Sequence, residues 1–299
     1  MAVSRRQAEL ILVGVTVIWG ATFSVTKDGL ADASPLLYLG IRFLAAWILL
    51  SLLVPSLFRR INRQNLKHGL FLGLLMFFGY GLQNMGLVHT TAGRSGFITY
   101  TFALYVPILQ FLIIRQKPHR GNLAGLGVVT LGMILLAGPM GGSPNRGDLL
   151  SLLSAVSFAF YIVFLDLLAK KSDTWVLTSL QFLVIGVLSL AAAPWVEEVH
   201  LTPSPRLFLG IAYLAVLGSV VAVSLMTRYQ KVLTPTKAVL IYALEPVFSV
   251  VVATLFFAEF FSLREGLGSM VILAGVFLSE LWGMKKPGAS PRPLTDPET

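Results

Sequence analysis

The sequence predicts an all-α membrane protein: ten transmembrane helices, built as two inverted five-helix repeats around a central cavity. Three observations lead there. Only 12% of the 299 residues are charged while 56% are hydrophobic. The apolar runs are each about 20 residues long, the length of a helix that crosses a bilayer. And the two halves of the chain resemble one another.

A soluble domain carries roughly 25% charged residues to cover its surface. This chain has about half that, so most of its outer surface must face lipid. A transmembrane β-barrel would alternate apolar and polar residues over ~10-residue segments, and no such alternation is present. The net charge of +9 would suggest nucleic acid in a soluble protein. Here the basic residues sit in short loops between apolar runs, as membrane topology requires, and no nucleic-acid partner is expected. With no cysteine in the chain, thiolate chemistry and cysteine-held metals drop out. The opening MAVSRRQAE leads into an apolar run without a small-residue cleavage site, and is read as the entry to a first membrane helix, not a removed signal peptide.

Charged and proline-marked breaks divide the chain into runs near 9–29, 35–54, 67–88, 93–114, 121–139, 148–168, 174–196, 206–227, 236–257 and 265–284. Lys and Arg set their orientation. With the N-terminus in the cytoplasm, only Lys27, Arg94, Arg146, Arg206 and Arg264 of the 23 fall on the opposite side, and Arg42 lies inside a span. Both ends are therefore expected in the cytoplasm of a multi-pass protein of the cell inner (plasma) membrane. The tail 285–299 carries Pro287, Pro291, Pro293 and Pro297 and is expected to be disordered.

Residues 1–143 and 144–284 form the two repeats. Arg42-Phe43-Leu44 aligns with Gln181-Phe182-Leu183, Trp19-Gly20 with Phe158-Ala159, and Pro107 with Pro246, all at one offset. Gly125 and Gly132 align with Gly268 and Gly275 at a slightly larger one. Five spans per half turn the second copy upside down, and inverted repeats place a site at their interface near the membrane midplane.

Arg42 lies inside the second span, where a charge costs about 2.5–3.5 kcal/mol. It should face the bundle interior, as a carboxylate-binding group or as a structural or gating charge that snorkels to the outer surface. Its counterpart Gln181 keeps the hydrogen bonding without the charge. Glu245, mid-span before Pro246, suits proton coupling, or equally the capping of backbone groups that a proline frees. Pro107 and Pro246 mark kinked or discontinuous helices at matched positions and point to a central site.

Tyr80, Gln83 and Asn84 share one helix face, and Thr99, Tyr100, Thr101 and Tyr105 follow in the next span. Trp19, Ser157, Tyr161, Ser224 and Tyr242 add to the set. Rings with a few amides and hydroxyls suit an amphiphilic solute such as a neutral or aromatic amino acid. The competing reading is helix packing with hydroxyls bonded to backbone, and tyrosines in the interfacial belt. The pairs Gly69/Gly73 and Gly121/Gly125 are read as close-packing positions. His68, His89, His119 and His200 show no ligand spacing, and neither a metal nor another cofactor is expected.

The segments TPTKAVLIYALEP (Thr234 to Pro246), Glu259 and GLGSMVILAGVFLSE (Gly266 to Glu280) resemble the second EamA repeat of the drug/metabolite transporter superfamily. WGATF (Trp19 to Phe23), Arg42-Phe43 and TTAGRSGFIT (Thr90 to Thr99) resemble the first. The chain departs from that pattern at Gln116-Lys117-Pro118 and at Ala258-Glu259, where a Gly-Glu pair is common. The resemblance implies a secondary transporter that exports small metabolites by alternating access, with aromatic or neutral amino acids as the expected substrates. Nucleosides or drug-like organic solutes are the alternative. An integral-membrane enzyme would need clustered carboxylates, a zinc motif or a buried serine–histidine pair. Asp28, Asp32, Asp148, Asp166, Asp173 and Asp296 are scattered instead. No GxxxxGK[ST] motif occurs, so coupling would come from a solute gradient, a proton or exchange. The oligomeric state is left open, and a monomer suffices for this scheme.

Overall fold

The computed structural model describes residues 4–138, 143–257 and 262–284. The expected disordered tail, and Glu259 with its neighbours, lie outside the described residues. Among the described residues, ten helical segments are long and apolar enough to cross a membrane: Arg5–Gly29, Pro35–Leu53, Arg63–Val88, Ala92–Ile114, Arg120–Ala137, Arg146–Ala169, Thr174–Val196, Pro205–Val232, Pro235–Val252 and Leu263–Trp282, hereafter spans 1 to 10. The protein is thus an all-α membrane protein, and among the described residues the nearest thing to a strand is one bridge, Ala33 to Leu201.

Several helices start ahead of their apolar runs, because polar residues do the starting. Ser4 and Gln7 form a capping box that opens span 1, and Asn145 with Asp148 does the same for span 6. Proline occupies the first turn of spans 2, 8 and 9, where its missing N–H costs nothing. Span 2 is capped from across the bundle: the Glu197 carboxylate accepts from the Leu36 and Leu37 amides at 2.9–3.1 Å, placing negative charge at a helix N-terminus. Beside it, Asp32 accepts from Ser204 Oγ at 2.6 Å and pairs with Arg206 at 3.2 Å. The Ser204 hydrogen bond holds the Asp32 carboxyl below the usual carboxylate range. This loop tie is therefore complete at neutral pH and loosens as acid protonates Asp32.

Three spans are interrupted. Span 1 breaks at Gly20 and Ala21, span 4 at Thr101, and span 9 at Ala243 and Leu244. Pro107 and Pro246 lie just beyond the last two breaks, where each proline ring crowds the carbonyl four residues back and withholds a donor. Span 8 carries a π-helical stretch from Leu214 to Val221, a form concentrated at functional positions.

Spans 5 and 10 make the most extensive pair, and spans 3–6, 3–7, 2–7, 2–8, 1–8, 1–9, 4–6 and 4–9 also pack together. Exchanging every span for the one five places away maps these pairs onto one another, whereas the contact of span 5 with span 9 has no counterpart of similar extent between spans 10 and 4 among the described residues. The seam between spans 5 and 10 is made of glycines. A Cβ on Gly125 would meet the Gly275 carbonyl oxygen at 2.7 Å, and one on Gly132 the Ile272 nitrogen at 2.7 Å. Gly69 and Gly73 likewise admit Leu180 and Val184 of span 7, so both glycine pairs noted in the sequence serve close approach within the chain. Because backbone cannot yield cheaply, Gly132→Ala is expected to lower unfolding free energy in mixed detergent by about 1–3 kcal/mol. An unchanged midpoint would mean the seam is looser than described.

Candidate functional site

A cavity of about 960 Å³ runs into the bundle between spans 1, 3, 4, 6 and 9, at the upper end of the range for small-molecule sites. Its mouth is formed by His89, Thr90, Thr91, Arg94, Asn145, Arg264 and Glu265. These residues belong to the loops and helix starts at the end of the bundle opposite Ser4. Its depths are lined by Trp19, Arg42, Tyr80, Tyr161, Tyr242 and Glu245. The helix interruptions converge there: Gly20 and Pro246 both form part of the wall.

Arg42 is 3% exposed. Its Nε donates to Ser219 Oγ at 3.0 Å, and its guanidinium lies over the rings of Phe43 and Tyr80, 4.8 and 5.2 Å from their centroids. Ser219 belongs to the π-helical stretch of span 8, which also turns the Gly218 carbonyl toward Trp19 Nε1 at 3.2 Å. Irregular backbone at membrane depth is tolerated where it borders a cavity, and here it supplies the partners of two wall residues. Among the described residues no carboxylate is ion-paired with Arg42. Its charge is met by the Ser219 hydroxyl, by the Tyr80 side chain and by two ring faces.

Glu245 opens the second helical half of span 9 and faces the same cavity. It stands within electrostatic reach of Tyr80 and Tyr100, and among the described residues it too has no ion-pair partner. One guanidinium and one carboxyl group thus line one chamber without pairing with each other.

The walls between them are aromatic. Trp19 meets Tyr242 edge to face at 5.6 Å, and Tyr80 meets Phe158 in the same manner at 5.0 Å. Below, the floor is sealed by polar ties. Tyr161 donates to Gln181 Oε1 and Tyr242 to Gln230 Oε1, both at 2.8 Å. Tyr100 donates to the Val239 carbonyl at 2.5 Å. Gln110 Oε1 accepts from the Thr236 amide and hydroxyl at 3.0 and 2.7 Å. Spans 4 and 9 therefore touch through Phe102–Leu109 and Pro235–Tyr242. Their opposite halves, with Gly96, Phe97, Ser249 and Val250, border the open cavity.

Of the residues singled out in the sequence, Trp19, Arg42, Tyr80, Gln83, Thr99, Tyr100, Tyr161, Tyr242, Glu245 and Pro246 come together on this wall. The others lie elsewhere. Ser157 donates to the Leu75 carbonyl at 2.7 Å between spans 3 and 6, and Thr101 to the Ile98 carbonyl at the span 4 break. Asn84 and Pro107 are buried. Gln181 sits beneath the floor, held by Tyr161 and by the Leu177 carbonyl. Sequence reasoning did not find Met76, Phe97, Phe158, Met133 or Met226, whose apolar side chains read as ordinary core. Nor did it find Ser219, although the adjacent Gly218 in an apolar run was a signal.

The sequence model of the EamA-like transporter family matches twice, over residues 6–138 and 145–281. The chain belongs to this family. Relatives include an uncharacterized transporter of Archaeoglobus fulgidus, 29% identical over 93% of this chain and 87% of the relative. The uncharacterized inner membrane transporter YedA of Escherichia coli K12 is 27% identical over 90% and 89%. A probable amino-acid metabolite efflux pump of Salmonella typhimurium is 24% identical over 92% and 95%. One solved crystal structure, 19% identical, covers 95% of this chain and 100% of its own with a TM-score of 0.79. At that identity it shows the fold alone. This EamA-like protein is a multi-pass membrane transporter of small solutes.

Proposed function

We propose that this transporter exports amino acids, chiefly neutral and aromatic ones, across the cell inner membrane by alternating access. The observation that carries the reading is the pair Arg42 and Glu245, a guanidinium and a carboxyl group on one ring-lined chamber that are not ion-paired among the described residues. The solute ammonium is the cation that would draw the carboxyl into its charged form. A free amino acid presents a carboxylate, an ammonium and a variable side chain. Arg42 takes the first by charge-assisted hydrogen bonds, Glu245 the second, and the rings around Trp19 and Tyr80 the third. The relative named a probable amino-acid metabolite efflux pump supports the same choice.

Support for alternating access comes from the main span pairings, most of which are kept when the two five-span halves are exchanged. Two inverted repeats of that kind rock around a fixed central site. The bundle is closed where Gln110 meets Thr236 and open between Phe97 and Ser249. With the basic loops and both termini in the cytoplasm, this is the outward-facing state.

The deciding experiment is counterflow in proteoliposomes with a panel of radiolabelled amino acids, nucleosides and drug-like solutes. Saturable amino-acid exchange is expected; movement of another class without amino acids would overturn the substrate assignment. Flux without saturation or counterflow would make the protein a channel. Because the chain has no cysteine, single cysteines report the open side. Ser249→Cys should react with a membrane-impermeant thiol reagent from outside and be shielded by saturating solute, while Thr236→Cys stays unreactive until turnover exposes it. Labelling of Ser249→Cys only from the side bearing the termini would reverse the orientation.

A further inference from the structure

A second notch, of about 430 Å³, lies where span 6 ends, span 7 begins and span 8 ends. We propose that it holds the phosphodiester headgroup of an anionic lipid. Its walls carry Arg228 and Lys231 from span 8 and Trp175 from span 7. The Arg228 guanidinium lies near two rings, 6.0 Å from the Trp175 centroid and 5.7 Å from that of Tyr229. Cation–π contact with these rings neutralises none of its charge and spends none of its N–H donors, which a phosphate can accept. Among the described residues no carboxylate is ion-paired with Arg228 or Lys231. Lys231 Nζ donates to the Ala169 carbonyl, the last residue of span 6, at 3.3 Å, keeping two further N–H donors.

The notch also holds one acid, Asp173, within electrostatic reach of Lys231, but its oxygens are engaged elsewhere. Its Oδ1 accepts from the Trp175 and Val176 amides at 2.9 and 3.2 Å, and its Oδ2 lies 3.6 Å from Arg60. With Arg60 set against Asp173, Arg228 and Lys231 keep the notch net positive toward a ligand. The depth argues for a lipid over a dissolved anion. Three spans end at this level, so the notch lies at the membrane surface, with the Trp175 ring and the 41% exposed Val232 as its apolar border. A headgroup is delivered there at high local concentration with its chains already in the bilayer, and basic pockets between membrane helices favour such headgroups.

The test counts lipids retained by the full chain in native mass spectrometry, after exposure to equal phosphatidylglycerol and phosphatidylcholine. Wild type is expected to hold phosphatidylglycerol at least about fivefold over phosphatidylcholine, and the Arg228→Gln/Lys231→Gln variant to fall within about twofold of parity. Arg115→Gln/Lys117→Gln removes the same charge elsewhere and should keep the preference. Equal loss in both variants would mean a diffuse surface effect, and full retention in the first would mean another site; either overturns the proposal. So would equal thermal stabilisation by glycerophosphoglycerol or inorganic phosphate, which would make a soluble anion the ligand. Should the double variant not fold, Lys231→Gln alone gives the same reading with a smaller loss.

Discussion

Replacing Arg42 with glutamine is expected to cut amino-acid efflux from loaded proteoliposomes by about 100-fold, the consequence of losing roughly 3 kcal/mol of charge-assisted hydrogen bonding to the solute carboxylate. Glutamine is the residue the second repeat carries at the matching position, Gln181, so the helix can accommodate it. The amide can still reach Ser219 Oγ, the hydroxyl that Arg42 Nε holds at 3.0 Å, and the change therefore removes the charge more than the local scaffold. Arg42→Lys is expected to restore less than about a tenth of the rate, because an ammonium cannot lie flat over the Phe43 and Tyr80 rings and bind a carboxylate with two parallel N–H groups. Stability supplies the separating measurement. A buried charge without an anionic partner is costly to hold, so the Arg42→Gln protein should unfold at the same temperature as wild type or higher. If transport and melting temperature fall together, Arg42 is a structural charge and the carboxylate role fails.

That Arg42 would face the interior was legible in the sequence, since a charge inside an apolar run has few other places to go. Its partners were not. They are a serine set on a π-helical stretch 177 residues away and the Tyr80 ring of span 3, and neither follows from periodicity. The ten spans were legible because twenty-residue apolar runs leave a membrane protein little choice. Their starts shifted where polar capping residues such as Ser4 and Asn145 extend a helix beyond its apolar core. Pro246 announced the break in span 9. The break in span 1 lay hidden in Gly20, one glycine among 27. The wall residues divide in the same way. Tyr80, Tyr161 and Tyr242 declared themselves as polar rings at membrane depth, whereas Phe97 and Met76 look identical to lipid-facing or core side chains until the helices are placed. Ser157 was a fair candidate by composition, but its hydroxyl is turned onto the Leu75 carbonyl. A hydroxyl in an apolar helix serves packing and solute equally well, and the sequence does not say which way it points.

The second charge is expected to behave differently from the first. Glu245→Gln keeps the shape of the side chain and removes the anion that faces the cavity at the head of the second half of span 9. If that anion holds the solute ammonium, the apparent KM for neutral amino acids should rise by about 10- to 100-fold, in line with a hydrogen bond to a charged group. The matched control is a substrate analogue that lacks the ammonium. Wild type should transport the deaminated acid poorly and the amino acid well, while the variant should treat the two alike, since the group that told them apart is gone. A variant that still prefers the amino acid would place ammonium recognition elsewhere. The same variant also tests proton coupling. Efflux measured with and without an imposed pH gradient should lose its gradient dependence if Glu245 carries the proton. A persisting dependence would separate the two roles, leaving Glu245 to the solute and the proton to another group. One carboxylate can serve both only in alternation, because the proton and the ammonium compete for the same oxygens. In that case amino acid on the proton's own side should slow proton movement, and amino acid on the opposite side should drive it by exchange.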